Sequence, residues 1–374
     1  MNPIVSETLS KLMNCCEVTD FDDTNRHKLI VKQNSGYSAY YFSVPIRNAD
    51  NNAGIAVFHD SINGIFMHGT NCNVVVKNSI KILGSGAEFN VDIPSRRDWH
   101  LAEQCVVCGD TKIIPTLNGV CIRNPIRRGE LFELKISTDT TYEEIRCSSK
   151  SFAFMKQRFV PNFSVSPIGV YGDQALGPLL LSANKGQLDG EYLLTFTSPD
   201  TDGEMCVEFN AHEQKLIQDT TVESARPDEN NAYGTSAFVG YSDTFGAQQL
   251  YLKFNYPMLG DLGKEHISNV KLYLPVIGGS MIPLEALHMD SRFCSFGSAW
   301  NKRVKPGGKH LPIEFHNNFC CIDLSEVMID RSGRLKFSNG VHLRPCQGSA
   351  EYCVFATGDS HLFPPILEVR VNAN

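Results

Sequence analysis

The sequence predicts an all-β protein: two antiparallel β-sandwich, jelly-roll-like domains behind a short N-terminal helix. Three observations carry this. Apolar and polar residues alternate with period two in many short runs, most clearly Leu250 to Phe254 ("LYLKF") and Asn269 to Val276 ("NVKLYLPV"). Glycine, asparagine, aspartate and proline punctuate those runs at the spacing that turns between strands require. A chain of 374 residues is also longer than one ordinary sandwich uses, which points to two domains or three.

Residues 1–28 contain one amphipathic stretch, with Ile4, Leu9, Leu12 and Met13 near helical spacing and Ser6 and Glu7 early enough to help a cap. It reads as a helix covering one end of the first β-domain, or as an arm that docks on a neighbouring subunit. Residues 29–157 read as the N-terminal sandwich. From Lys28 onward come "KLIVKQ", "SAYYFSVPI", "GIAVFH", "GIFMHG", "NCNVVVKNSIKIL" and "AEFNVDI", and Leu131, Phe132, Leu134 and Ile136 give a later strand. Residues 158–214 read as a connecting β segment, because Arg158 to Gly190 is rich in Pro and Gly and lacks sustained alternation. A hairpin around Ser198 to Gly203, with Pro-Asp and Asp-Gly steps at its turn, fits either side of that boundary. Residues 215–374 form the second sandwich, with Leu252, Phe254, Leu272 and Leu274 facing inward and Lys253 and Lys271 on the opposite, tolerant face.

The second half also carries a set of motifs. They are the Asp219-Thr220 start, Asn230 to Thr235 ("NNAYGT"), the "YLKF" strand, Ile322 to Val327 ("IDLSEV"), Phe355 to Ser360 ("FATGDS") and Pro364 to Val369 ("PPILEV"). Together they resemble the DNRLRE domain, a jelly-roll-like sandwich related to carbohydrate-binding modules, over about residues 215–374. The resemblance implies a fold rather than a ligand, since its motifs are turn glycines, edge prolines and core alternation.

With 34 basic against 41 acidic residues the net charge is −7, so no basic field invites nucleic acid or an anionic membrane surface. No apolar run is long enough to span a bilayer, so no membrane insertion is expected. The first residues lack the basic and apolar regions of a secretory signal. Thirteen cysteines, odd in number and irregularly spaced, including the pairs Cys15-Cys16 and Cys320-Cys321, fit a chain folded in the reducing cytoplasm with buried, reduced thiols.

For chemistry, His100, Cys105, Cys108 and Cys121 are the candidate metal ligands, one Cys-x-x-Cys with a third Cys and a His to close a tetrahedral shell; a buried strand residue and a turn residue is the plainer reading. Candidate carbohydrate-binding residues are Tyr233, Tyr241, Trp300, Asp243 and Arg344, with Phe245, Tyr352 and Asn230 nearby in sequence, because sugar C–H faces stack on rings while hydroxyls pair with planar polar groups. Asp200, Asp202 and Glu204, or Asp219, Asp228 and Glu229, are acidic enough to hold Ca²⁺, although such residues are more often plain turn and surface carboxylates. No catalytic signature stands out among the 11 His and 13 Cys, and no cofactor is expected.

The function expected on these grounds is that of a non-catalytic structural subunit of an assembled particle, such as a phage capsid, tail or phage-like injection device. It would be a homo-oligomer or bind other particle subunits, its termini held by neighbours, and leave the cytoplasm as a virion or released particle that displays a sandwich toward surface glycan. A free carbohydrate-binding adhesin is the alternative, and an enzyme of unknown class the third reading.

Overall fold

The computed structural model describes residues 3–13, 20–21, 25–33, 35–47, 57–84, 86–94, 96–157, 160–171, 176–346 and 350–372. Cys15 and Cys16 and both chain ends lie outside them, as do residues 54–56 of the expected "GIAVFH" strand. The architecture is all-β, with antiparallel sheets and one N-terminal helix, Pro3–Met13. The helix starts at a proline, whose missing N–H costs nothing in a first turn. Ser6 and Glu7 therefore lie inside it instead of capping it, and Glu7 pairs with Lys11 one turn on, at 2.6 Å. Val5 and Leu9 are its buried residues.

The chain forms two compact units. One consists of Met1–Ile4, Arg47–Gln214 and Tyr233–Thr235, the other of Val5–Ile46, Lys215–Ala232 and Ser236–Asn374. This division departs from the expected boundaries: the helix from Val5 on belongs to the second unit and not to the first, whose end it was expected to cover, and Tyr233–Thr235 belongs to the first unit. Strands Lys28–Gln33 and Gly36–Phe42 were expected in the first sandwich, but Gly36–Phe42 pairs with the last strand, Ile366–Asn372, and both belong to the second unit. Likewise, residues 158–214 are no connection: Val160–Tyr171 and Gly203–Ala211 pair along most of their length in the middle of a sheet of the first unit. The prolines that disguised Val160–Tyr171 are accommodated by bulges, one of them between Pro167 and Gly169, where a residue without an N–H can sit in a ladder.

In the first unit one sheet runs, strand by strand, from Glu144–Cys147 at its edge through Phe152–Gln157, Val160–Tyr171, Gly203–Ala211, Gly119–Ile126, Thr111–Thr116 and Cys105–Cys108 to His100–Ala102. The facing sheet runs from Leu180–Lys185 through Glu191–Thr197, Leu131–Thr138 and Ala87–Asp92 to His59–Ser61. Their apolar faces close one core, with Phe89 of one sheet stacked on Phe163 of the other at 4.0 Å. Period two places Leu134 and Ile136 in that core and leaves Leu131 on the outer face.

The second unit is also a sandwich, and the strand Ile267–Gly279 belongs to both its sheets. Its first part pairs with Ile366–Asn372 and with Phe319–Asp323, and its last part pairs with Tyr352–Ala356. The switch follows Pro275, which has no N–H to donate, and a bulge lies between Val276 and Gly278. Leu250, Leu252, Phe254, Val270, Leu272 and Leu274 all lie in the core between the sheets, as the alternation predicts. Lys271 pairs with Glu314 at the surface, whereas Lys253 is not the tolerant surface residue expected. Its ammonium donates to the Phe293 carbonyl at 3.1 Å and lies over the Phe293 ring, and burial lowers its pKa.

Among the described residues the cysteines depart from full reduction at one place. Cys121 and Cys206, diagonal neighbours on adjacent strands with Cα atoms 6.3 Å apart, form a disulfide. Cys72, Cys108, Cys320, Cys321 and Cys353 are buried thiols, and Cys147 and Cys294 are exposed ones. Burial pushes the thiols of Cys72 and Cys353 up to about 12 and that of Cys321 to about 11, so they are protonated and inert at neutral pH. A thiol reagent at pH 7 is therefore expected to label Cys147 and Cys294 quickly and the buried five only after denaturation. Peptide mapping checks this, and fast labelling of Cys72 or Cys353 would contradict the packing described.

Candidate functional site

The face of the second sandwich that points away from its core carries aromatic and charged side chains, of which Tyr251 and His342 are covered, at 1% and 2% exposed. Alternation turns Tyr251 outward between the inward Leu250 and Leu252, and the register places it between Thr220 and His342, with Leu287 and His310 completing the row. Tyr251 and His342 stack with ring centroids 4.4 Å apart and planes 7° from parallel. Next to them Arg344 lies opposite Glu285 and bonds its carboxylate at 2.8 Å through both Nε and Nη2. The chain after Leu284–His288 folds over this row. Met289 and Phe293 bury themselves against Val222 and Tyr251, Trp300 and Val304 pack on that cluster half-buried, and the Tyr251 hydroxyl donates to the Val304 carbonyl. The Arg303 guanidinium lies 3.8 Å from the Trp300 ring.

Asn230 holds this segment in place by donating to the Ser295 and Ser298 carbonyls, and the Asn301 amide donates to the Pro227 carbonyl. His342 Nε2 is 3.0 Å from Gln249 Oε1, while its Nδ1 is buried without a hydrogen-bond partner. Burial, reinforced by Arg344 and Arg303, lowers the imidazole pKa to about 4, so the ring is neutral at pH 7. Chemically, with Tyr251 and His342 enclosed, what is left accessible is the half-buried Trp300 ring and Gln249 amide and the guanidinium groups of Arg303 and Arg344, donors that bind hydroxyls and carboxylates.

Two of the five residues predicted for sugar binding, Trp300 and Arg344, thus share this neighbourhood. Tyr241 and Asp243 are exposed at the tip of the hairpin joining Ser236–Ser242 to Gly246–Phe254. Tyr233 does not fit the prediction: it is 2% exposed, and its hydroxyl faces the Met155 sulfur within the first unit. Phe245 is buried beside Phe238 under Arg226, and Tyr352 packs on Phe238. Sequence reasoning missed Tyr251, His342, Gln249 and Arg303. Tyr251 and Gln249 are the outward positions of a strand recognised by its inward ones, a signal that was legible; His342 lies in a strand, Val341–Pro345, that the sequence analysis did not pick out, and Arg303 in a segment without periodicity.

The predicted metal set does not assemble. Cys105 and Cys108 lie three apart on one strand and so point to opposite faces, Cys105 half-buried and Cys108 buried. Cys121 is in the disulfide, and His100 is exposed opposite Val107. Among the described residues no three His, Cys, Asp or Glu side chains are placed to hold a metal ion. The acidic candidates for Ca²⁺ are otherwise engaged: Asp202 accepts from the Arg128 amide, Glu204 pairs with Arg123 at 2.7 Å, and Asp228 accepts from Asn301.

Asp219 is instead part of a buried ionic cluster. One of its oxygens accepts from the Gly358 amide at 2.8 Å, and Lys215 bonds Asp359 at 2.5 Å. Desolvation raises the pKa of both carboxyls, and Lys215 opposes the rise. With both acids fully enclosed, the cluster fastens the strand Ile217–Glu223 to the segment after Tyr352–Ala356 and offers no surface to a substrate. In the first unit Ser164 Oγ and His212 Nε2 lie 2.6 Å apart, the contact of a nucleophile and its base, but Ser164 is wholly buried.

No described helix is long and apolar enough to cross a membrane. No family model matches the chain, and no curated protein matches it either.

Proposed function

We propose that this chain is a non-catalytic structural subunit of an assembled particle, of the phage capsid, tail or injection-device kind, and that its second sandwich engages surface carbohydrate. The observation that carries the reading is the group of Trp300, Arg303 and the Arg344–Glu285 pair above the buried Tyr251–His342 stack, which combines a ring surface with planar hydrogen-bonding groups. The resemblance of residues 215–374 to the DNRLRE domain belongs to this proposal. Its support is that the Asp219 start and the Thr357-Gly358-Asp359 segment, far apart in sequence, meet in one buried cluster.

Light scattering on the native protein together with a glycan array tests both halves of the proposal. A large symmetric species that retains glycan is expected, with Arg344→Gln and Trp300→Ala each weakening retention at least about tenfold. Arg344→Gln leaves the core intact and so decides the matter if Trp300→Ala unfolds. A monomer that binds glycan through these residues would favour the free adhesin, and retention indifferent to both substitutions would remove the site.

A further inference from the structure

The first unit, which plays no part in the carbohydrate reading above, has an open cleft of about 380 Å³ where the edges of its two sheets part. Its lining includes Tyr142, Phe154, Tyr192, Asp139, Lys185 and Asp189. Tyr142 leads into the edge strand Glu144–Cys147 of one sheet; Tyr192 lies in Glu191–Thr197, next to the edge strand Leu180–Lys185 of the other. Both tyrosines lean on the buried Phe154, at ring separations of 5.0 and 5.6 Å, and Tyr142 also stacks on Phe89 while Tyr192 meets Phe152. The aromatic floor is therefore fixed from below by core residues.

Two turns form the walls. The Thr138 amide donates to the Gly190 carbonyl, and Gly190, at φ +80°, comes so close that a Cβ there would lie 2.1 Å from the Thr138 carbonyl oxygen. This close approach ties the turn carrying Asp139 to the turn carrying Asp189, while both carboxylates stay exposed. The Tyr142 hydroxyl is buried below the rim without a hydrogen-bond partner, so the rim hydroxyls are those of Thr140 and Thr141. A half-buried aromatic floor with carboxylates, an ammonium and hydroxyls around its rim is what a pyranose ring needs: one flat C–H face for the rings and an equatorial fringe of hydroxyls for the rim. The volume lies within the range of about 300–1,000 Å³ usual for small-molecule sites.

We propose that this cleft is a second carbohydrate site, which holds one or two pyranose units of a neutral glycan with Tyr142 and Tyr192 as its floor and Asp139 and Asp189 as acceptors for the sugar hydroxyls. It stands or falls independently of the site around Trp300.

The test uses the full chain and saturation-transfer NMR with a panel of methyl pyranosides (glucose, galactose, mannose, N-acetylglucosamine) and their linear trisaccharides. At least one probe is expected to receive saturation on its ring protons. Its affinity is expected to fall about tenfold in Tyr192→Ala and in the exposed, fold-neutral Asp139→Asn, and to stay as it is in Tyr142→Phe, which keeps the ring and removes only a buried hydroxyl. Trp300→Ala should leave this binding unchanged. The proposal is overturned if no probe is contacted, if Asp139→Asn binds as well as the parent, or if binding disappears with Trp300→Ala instead.

Discussion

Replacing Lys215 by Met is expected to destabilise the second sandwich by about 3–5 kcal/mol, the usual cost of removing one partner from a buried ion pair. Lys215 is the cation that offsets two fully enclosed carboxyls, bonding Asp359 at 2.5 Å and acting on Asp219 through space. Asp219→Asn should recover part of the loss, because the amide oxygen can still accept from the Gly358 amide while one buried acid disappears. The same residue gives a pH signature. Burial holds the Asp219 carboxyl well above the ordinary carboxylate value of about 3.9, so above that pH the folded chain keeps a proton that the unfolded chain releases. The stability this group contributes is full below about pH 4 and declines as the pH rises toward the folded value. Urea unfolding at pH 5 and pH 8 should therefore show Asp219→Asn gaining on the parent as the pH rises. A constant difference between the two proteins, or one that moves the other way, would contradict the burial argument.

Phe254→Ala is expected to cost about 3–5 kcal/mol, as the removal of a large ring from a packed interior does. Phe254 is 6% exposed, lies opposite Ile217 in the ladder and is part of the core that both sheets of the second unit close. Its neighbour Lys253 points the other way, so Lys253→Met should keep the core and lose the bond to the Phe293 carbonyl and the contact with the Phe293 ring, together about 1–2 kcal/mol. Chemical denaturation of the two variants compares them directly. Equal losses would mean that this strand is shifted by one residue, since a one-residue slip exchanges every inward side chain for an outward one.

Local pattern determined much of this protein. Period-two alternation identified the strands around Leu252, Leu272 and Ile136 and told their inward from their outward residues, because a β-strand's side chains alternate whatever it pairs with. Strand partners were a different matter. That Gly36–Phe42 lies beside Ile366–Asn372, more than three hundred residues later, depends on which unpaired edge each strand finds in the folded chain, and no local signal encodes it. The prolines of Val160–Tyr171 read as a linker because a bulge that accommodates them exists only once the neighbouring strands are in place.

The sites divide in the same way. Spacing brought Cys105 and Cys108 together as ligands, and the extended backbone separated them onto opposite faces. Trp300 and Arg344 were legible as residue types suited to sugar, yet Tyr251, His342 and Arg303 joined them only through cross-strand register and a segment folded over the sheet. Composition and periodicity fix which residues can be buried and which face they take. Long-range pairing, which costs chain entropy and is repaid only by the complete sheet, decides which of them meet.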